Sequence, residues 1–219
     1  MPRNAPTDQN FSVVVLVSGS GSNLQALIDQ VENKELPIDI KAVISNKPQA
    51  YALKRAELVG ISAICVDHKA FDSRESYDET LKNTIDAHAP DLVILAGFMR
   101  ILTDDFVNHY LGRLINIHPS LLPKYKGLNT HQRAIDANDR EHGVSVHFVT
   151  PELDNGPVIA QSKVSIQTGD TATTLAQRVQ EKEHLLYPLV IKWIAEGRLT
   201  NKNDDYYLDN QELNAPVIV

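Results

Sequence analysis

The sequence predicts an α/β fold: a mostly parallel sheet with helices on both faces and a mixed C-terminal extension. Three observations carry this. The run FSVVVLVS at 11–18 is continuous and β-branched, as in a strand buried on both faces of a parallel sheet. Apolar runs then alternate with helical spacings through residue 97, a βαβαβαβ rhythm that requires right-handed crossovers. Beyond it, the β runs HGVSVHFV and PVIAQSKVSI are separated only by the loop TPELDNG, which favours an antiparallel or mixed addition to the sheet.

Each element follows in turn. Residues 1–10 are polar with two prolines and read as a flexible leader. After the first strand and a Gly/Ser turn, Leu24, Leu27, Ile28 and Val31 recur at helical spacing. Residues 38–45 form a second strand, 49–59 a second helix and SAICV a third strand. Asp72 and Glu75 have capping-box spacing, and the helix they open carries Tyr77, Leu81 and Ile85 on one stripe. A fourth strand spans 91–97, and RLINI is a fifth. Residues 131–140 read as a short helix, and 171–195 as a long one with a kink expected at Pro188. There is no internal repeat or linker, so the reading is one domain over 11–197. Residues 11–97 form its phosphate-binding half and 98–197 its catalytic half, with 1–10 and 198–219 as flexible or peripheral tails.

Composition narrows the function. Of 219 residues, 42% are hydrophobic, enough for a packed core. A formal net charge of −7 argues against general nucleic-acid binding. The single cysteine, Cys65, excludes an internal disulfide and a multi-cysteine metal site, and its apolar surroundings predict a core position. No apolar run reaches the ~20 residues that span a bilayer, and no signal peptide is visible. A cytoplasmic protein acting on small molecules, as monomer or homodimer, without a membrane or nucleic-acid partner, is expected.

The glycine loop Ser18-Gly19-Ser20-Gly21-Ser22-Asn23 joins the first strand to the first helix. Bare amides at a helix N-terminus favour an anion, and a phosphate ester is the preferred ligand. The competing reading is a tight turn with Ser22 as helix cap. Leu24 stands where a dinucleotide fingerprint needs its third glycine, and Ser45 and Asn46 end the second strand without an acidic residue for a ribose diol.

Asn116 and His118 are two apart at the end of the fifth strand, so both side chains project to one face. An amide donor and an imidazole converging there suit a carbonyl that becomes an oxyanion and exchanges a proton. Pro119 and Pro123 stiffen the loop that follows. The imidazole needs a carboxylate partner to fix its tautomer or hold its proton. Asp154 is the best candidate, at the same carboxyl edge of the sheet, with Glu152 second. His142 and His147 fall on opposite faces of one strand and carry less weight, as do His68, His88, His109 and His131. No metal-site spacing and no serine-nucleophile elbow occur.

The segments SGSGSNLQALID, AFDSRESYD, DLVILAGFMRIL, INIHPSLLPKYKG, HGVSVHFV and ELDNGPVI resemble the phosphoribosylglycinamide formyltransferase family of purine synthesis. INIHPSLLP marks the wider formyltransferase group, and SGSGSNL the narrower family. The resemblance runs from about residue 11 to 197. It implies a Rossmann-like formyltransferase fold and transfer of a formyl group from 10-formyltetrahydrofolate to the glycinamide amine, without a metal.

By motif, the resemblance assigns Asn116, His118 and Asp154 to catalysis. It assigns Gly21, Ser22 and Asn23 to the substrate phosphate, and Gln180 and Glu183 to the glycinamide and ribose. Arg74, Met99, Arg100, Ile101 and Leu102 fall to the folate, with Asn116, Thr150, Leu153 and Asp154 closing over it. Phe98, Met99, Ile101 and Leu102 offer an apolar wall for a flat ring, and Arg74 and Arg100 could meet folate carboxylates. Lys126 and Asn129 depart from the family pattern in the loop after the fifth strand. Rival readings are formyltetrahydrofolate hydrolysis, a non-catalytic folate- or nucleotide-binding module, and an NAD-dependent oxidoreductase.

Overall fold

A computed structural model describes residues 11–202 and 205–219; the leader expected at 1–10 lies outside the described residues. Strands β1 (Phe11–Val17), β2 (Ile38–Ser45), β3 (Ser62–Cys65), β4 (Leu92–Leu95) and β5 (Leu114–His118) alternate with α1 (Ser22–Glu32), α2 (Tyr51–Leu58), α3 (Arg74–Asp86) and α4 (Asp104–His109). The chain continues through α5 (Thr130–Asp136), β6 (Glu141–Phe148), β7 (Val158–Ser165), α6 (Ala172–Ala195), β8 (Leu199–Lys202), β9 (Asp205–Leu208), β10 (Gln211–Glu212) and β11 (Val217–Ile218).

One sheet has the order β11-β7-β6-β5-β4-β1-β2-β3. Strands β1 to β5 run parallel, and β6 alone is reversed against both β5 and β7. Because β1 pairs with both β2 and β4, a crevice opens between the carboxyl ends of β1 and β4, the usual place for a ligand in such a sheet.

Two cores follow from the period of two along β1. Val13, Val15 and Val17 face a cluster with Leu24, Leu27, Leu186 and Tyr187. Val14 and Leu16 face a second cluster with Tyr77, Leu81, Ile85 and Phe106. α6 continues through Pro188. The hydroxyl of its fully buried Tyr187 donates to the carbonyls of Leu95 (2.9 Å) and Ile115 (3.2 Å), pinning the helix under β4 and β5.

Several local expectations are corrected. The cap of α3 is Ser73, not Asp72: the Ser73 hydroxyl accepts from Ser76 N. α1 is capped by Gly21 in the left-handed region, and Ser22 is already helical. Cys65 is exposed rather than in the core, because β3 is the sheet's edge strand and leaves one flank open. α4 was not expected, although Thr103 caps it and Asp104 and Asp105 suit its first turn. The tail after Gly197 is built into the fold instead of lying apart: β8, β9 and β10 form a small sheet, β11 pairs in parallel with β7, and Leu199 is buried in the first core cluster. Tyr206 stacks on Phe148 at 4.5 Å between ring centroids.

Candidate active site

The glycine loop leaves β1 at the crevice. Gly21 has φ 73° and no side chain caps α1, so the first helical amides keep no internal partner. A Cβ on Gly21 would lie 2.6 Å from Ala52 Cβ, so glycine is required by both conformation and space. Two side chains of α6 close on this turn. Gln180 Nε2 donates to Ser22 Oγ at 2.9 Å, and Asn23 Nδ2 donates to Glu183 Oε2 at 2.8 Å. Burial pushes the Glu183 carboxyl up, and the Asn23 hydrogen bond pulls against that shift.

Across the crevice, Ser18 Oγ accepts from Met99 N at 2.7 Å and donates to Asn46 Oδ1 at 2.6 Å, tying the loop after β4 to the ends of β1 and β2. Phe98 and Leu102 of that loop are buried, whereas Met99 and Ile101 are 64% and 62% exposed. Leu153, beside Asp154, is also exposed. Apolar side chains left open on loops flanking a polar site fit a flat ring system better than they fit water.

β5 adjoins β4 and places Asn116 and His118 next to this crevice. Ile117, between them, points into the core. His118 Nε2 donates to the Tyr125 carbonyl at 2.9 Å, and its Nδ1 lies 3.4 Å from Asp154 Oδ2. The His118 and Asp154 side chains are both largely buried.

Asp154 arrives by a route that the sequence did not suggest. β6 is antiparallel, with Phe148 level with Ile115 and Ser145 level with His118. The following loop therefore leaves the sheet away from the carboxyl end of β5, not at the shared carboxyl edge. It folds back over the face that bears Asn116 and His118. Asp154 sits at φ 46°, and its Oδ2 accepts from Gly127 N at 2.9 Å. A Cβ at Gly156 would meet the Phe148 carbonyl oxygen at 1.9 Å, so the fold-back needs glycine there. Lys126 Nζ bonds Asn155 Oδ1, linking the two loops. Asn129 caps α5 in the left-handed region that asparagine tolerates.

His147 is the residue that sequence reasoning passed over. Its register with Asn116 places both side chains on one face. His147 Nδ1 donates to the Phe148 carbonyl at 2.8 Å, and burial pushes its pKa down. Its Nε2 is then a lone pair, and it accepts from Asn116 Nδ2 at 3.2 Å. That bond fixes the orientation of the Asn116 amide and leaves its second N–H for a ligand. Only cross-strand register could have revealed this pairing.

Other predicted residues are placed differently. The Arg100 guanidinium lies over the Tyr77 ring at 4.6 Å, turned inward instead of toward solvent. Arg74 opens α3 and is half exposed beside Glu75. Thr150 Oγ1 donates weakly to the Glu152 carbonyl within its own loop. A hollow of about 430 Å³ beside α1, lined by Ser22, Gln25, Asp29, Arg55 and His184 among others, shares only Ser22 with this site. Among the described residues no group of three His, Cys, Asp or Glu could hold a metal, and no helix is long and apolar enough to cross a membrane.

Comparison with known proteins agrees with this fold. The sequence pattern of the formyl transferase family matches residues 11–191. Phosphoribosylglycinamide formyltransferase of Escherichia coli K12 is 54% identical over 203 residues, covering 93% of this chain and 96% of that protein. The chain belongs to the phosphoribosylglycinamide formyltransferase family. A solved phosphoribosylglycinamide formyltransferase from Coxiella burnetii, in complex with CHES, shares the fold at a TM-score of 0.91 and 51% identity, over 96% of this chain and 99% of that one. The trifunctional purine biosynthetic protein adenosine-3 of Drosophila melanogaster is 46% identical over 187 residues, 84% of this formyltransferase but 14% of that longer protein.

Proposed function

We infer that this formyltransferase moves a formyl group from 10-formyltetrahydrofolate to the amine of 5-phosphoribosylglycinamide in purine biosynthesis. When bound, the folate supplies the formyl carbon that the amine attacks, leaving formylglycinamide ribonucleotide and tetrahydrofolate. The observation that carries the catalytic assignment is the convergence of Asn116, His118 and Asp154 on one face, with the Asn116 amide oriented by His147.

Asn116 donates its second amide N–H to the oxyanion that develops on the formyl oxygen. His118 stands two residues along, and its Nδ1 contact with Asp154 is loose enough for that N–H to turn to the same oxygen. Asp154, 3.4 Å from Nδ1, orients the His118 imidazole. The amides of Gly21, Ser22 and Asn23 receive the phosphate at the N-terminus of α1. Gln180 and Glu183, already bonded to Ser22 and Asn23, are positioned for the ribose and glycinamide. Met99, Ile101, Thr150 and Leu153 form the folate wall; Leu102, assigned to it by the resemblance, is buried in the core beneath and supports it from behind. Arg74, half exposed at its rim, is the cation for a glutamate carboxylate, and Arg100 contributes through its backbone and its packing.

The domain is proposed to span 11–197, with phosphate binding in 11–97 and catalysis and folate binding in 98–197. All proposed groups belong to one chain, so either a monomer or a homodimer can carry the reaction, and the charged, soluble substrates suit a cytoplasmic setting.

The test is an assay with 10-formyltetrahydrofolate, with and without phosphoribosylglycinamide. Tetrahydrofolate release is expected only with the acceptor. Release at the same rate without it would make the protein a hydrolase.

A further inference from the structure

The segment from Phe98 to Thr103, after β4, alternates like a strand: Phe98 and Leu102 point in, Met99 and Ile101 out, and Arg100 inward over Tyr77. It belongs to no strand, so no sheet ladder holds it. Its start is fixed by Met99 N donating to Ser18 Oγ. Its end is fixed by Thr103 N, which donates to Asp78 Oδ2 at 2.6 Å. Asp78 lies on α3 and is 2% exposed, next to Tyr77 on a helix that also buries Leu81 and Ile85. A charge in such a place is costly unless it makes strong hydrogen bonds. Burial pushes its carboxyl up, while the Thr103 bonds and the nearby Arg100 and Arg74 guanidiniums pull it down.

We propose that Asp78 is a positioning residue for the folate site. Its carboxylate anchors Thr103 N, and with the Arg100–Tyr77 contact it sets where Met99 and Ile101 stand. This rests on the folate reading of that segment. Asp78 touches no reacting atom. Its effect passes through the segment's backbone, so it acts on folate affinity and not on the phosphate end, which is held by a different helix and loop.

The test is steady-state kinetics of the full chain with each substrate varied in turn, alongside thermal melting. Asp78→Ala should raise the KM for 10-formyltetrahydrofolate about tenfold or more, the scale of losing a hydrogen bond to a charged group. The KM for phosphoribosylglycinamide should stay within about twofold. Asp78→Asn keeps an acceptor oxygen for Thr103 N and should return the folate KM to within about threefold of the unaltered chain. Equal rises in both KM values, a lower melting temperature with both KM values unchanged, or no rescue by Asp78→Asn would overturn the proposal. If Asp78→Ala does not fold, Arg100→Leu decides: an unchanged folate KM overturns the proposal. Met99→Ala separates this failure from failure of the folate reading. A raised folate KM there with none in Asp78→Ala sinks the positioning role alone; no change in either sinks the folate assignment of the segment.

Discussion

At the glycine loop the groups proposed to meet the ligand are backbone amides; at the β5–β6 edge they are side chains. The first arrangement is local. Six consecutive residues, 18–23, make the turn and start the helix, and α6 adds only Gln180 and Glu183. The second gathers Asn116 and His118 from β5, His147 from β6 and Asp154 from a loop folded back over both. Backbone sites tolerate side-chain change except where conformation forbids it. Side-chain sites tolerate little, because each group has its own partner. Substitutions at the two ends should therefore differ in size and in the kinetic constant they move.

The largest effect is expected at the catalytic edge. Asn116→Ala should lower kcat about 10²–10³-fold, the usual loss for one oxyanion donor, with both KM values nearly unchanged. Near-normal turnover would remove Asn116 from the mechanism and erase the contrast.

Next comes acid stability, which should differ in sign between the two ends. His142 is 1% exposed and 3.1 Å from His131, and burial pushes its pKa down to about 4. Its folded value lies below the ordinary one, so its contribution is complete above about pH 6.5 and is lost as pH falls toward 4. The full loss is about 3 kcal/mol, because each pH unit between the two values is worth ~1.4 kcal/mol. Glu183 is raised, so its contribution is present below the ordinary glutamate range and is lost as pH rises through the folded value. Melting curves across this range should show His142→Gln flattening the acid loss and Glu183→Gln leaving it in place. An unchanged acid slope in His142→Gln would locate the sensitivity elsewhere.

Gly21→Ala should be smaller and confined to the phosphate end. The Ala52 contact and the positive φ must be relieved by moving the turn, and strain of this kind is worth roughly 1–3 kcal/mol. The KM for phosphoribosylglycinamide should rise about tenfold while the folate KM holds. A parallel rise in both would mean that the two ends are not independent.

Ser22→Ala should be the smallest, within about threefold on any constant, since the proposed donor there is the amide and not the hydroxyl. A loss as large as that of Gly21→Ala would show that the phosphate end also works through side chains.

The sequence by itself determined the first seven strands, most of the helices and the two signatures. Period-two and helical spacings report burial directly, and a Gly/Ser turn between strand and helix reports its own geometry. The shared face of Asn116 and His118 needed only the alternation of a strand. Tertiary structure alone decided the rest. Cys65 looked buried by its neighbours, but its strand is at the sheet edge. Asp154 lies beside His118 by a different route from the one expected, because the reversal of β6 sends its loop away and Gly156 lets it return. Arg100 looked like a surface cation until the Tyr77 ring was placed beneath it. His147 had no local signal at all, since its role is set by register with a strand 31 residues away. The physical reason is common to all four: local pattern encodes which face a residue takes, while partners across strands and loops are chosen by pairing, which no single segment contains.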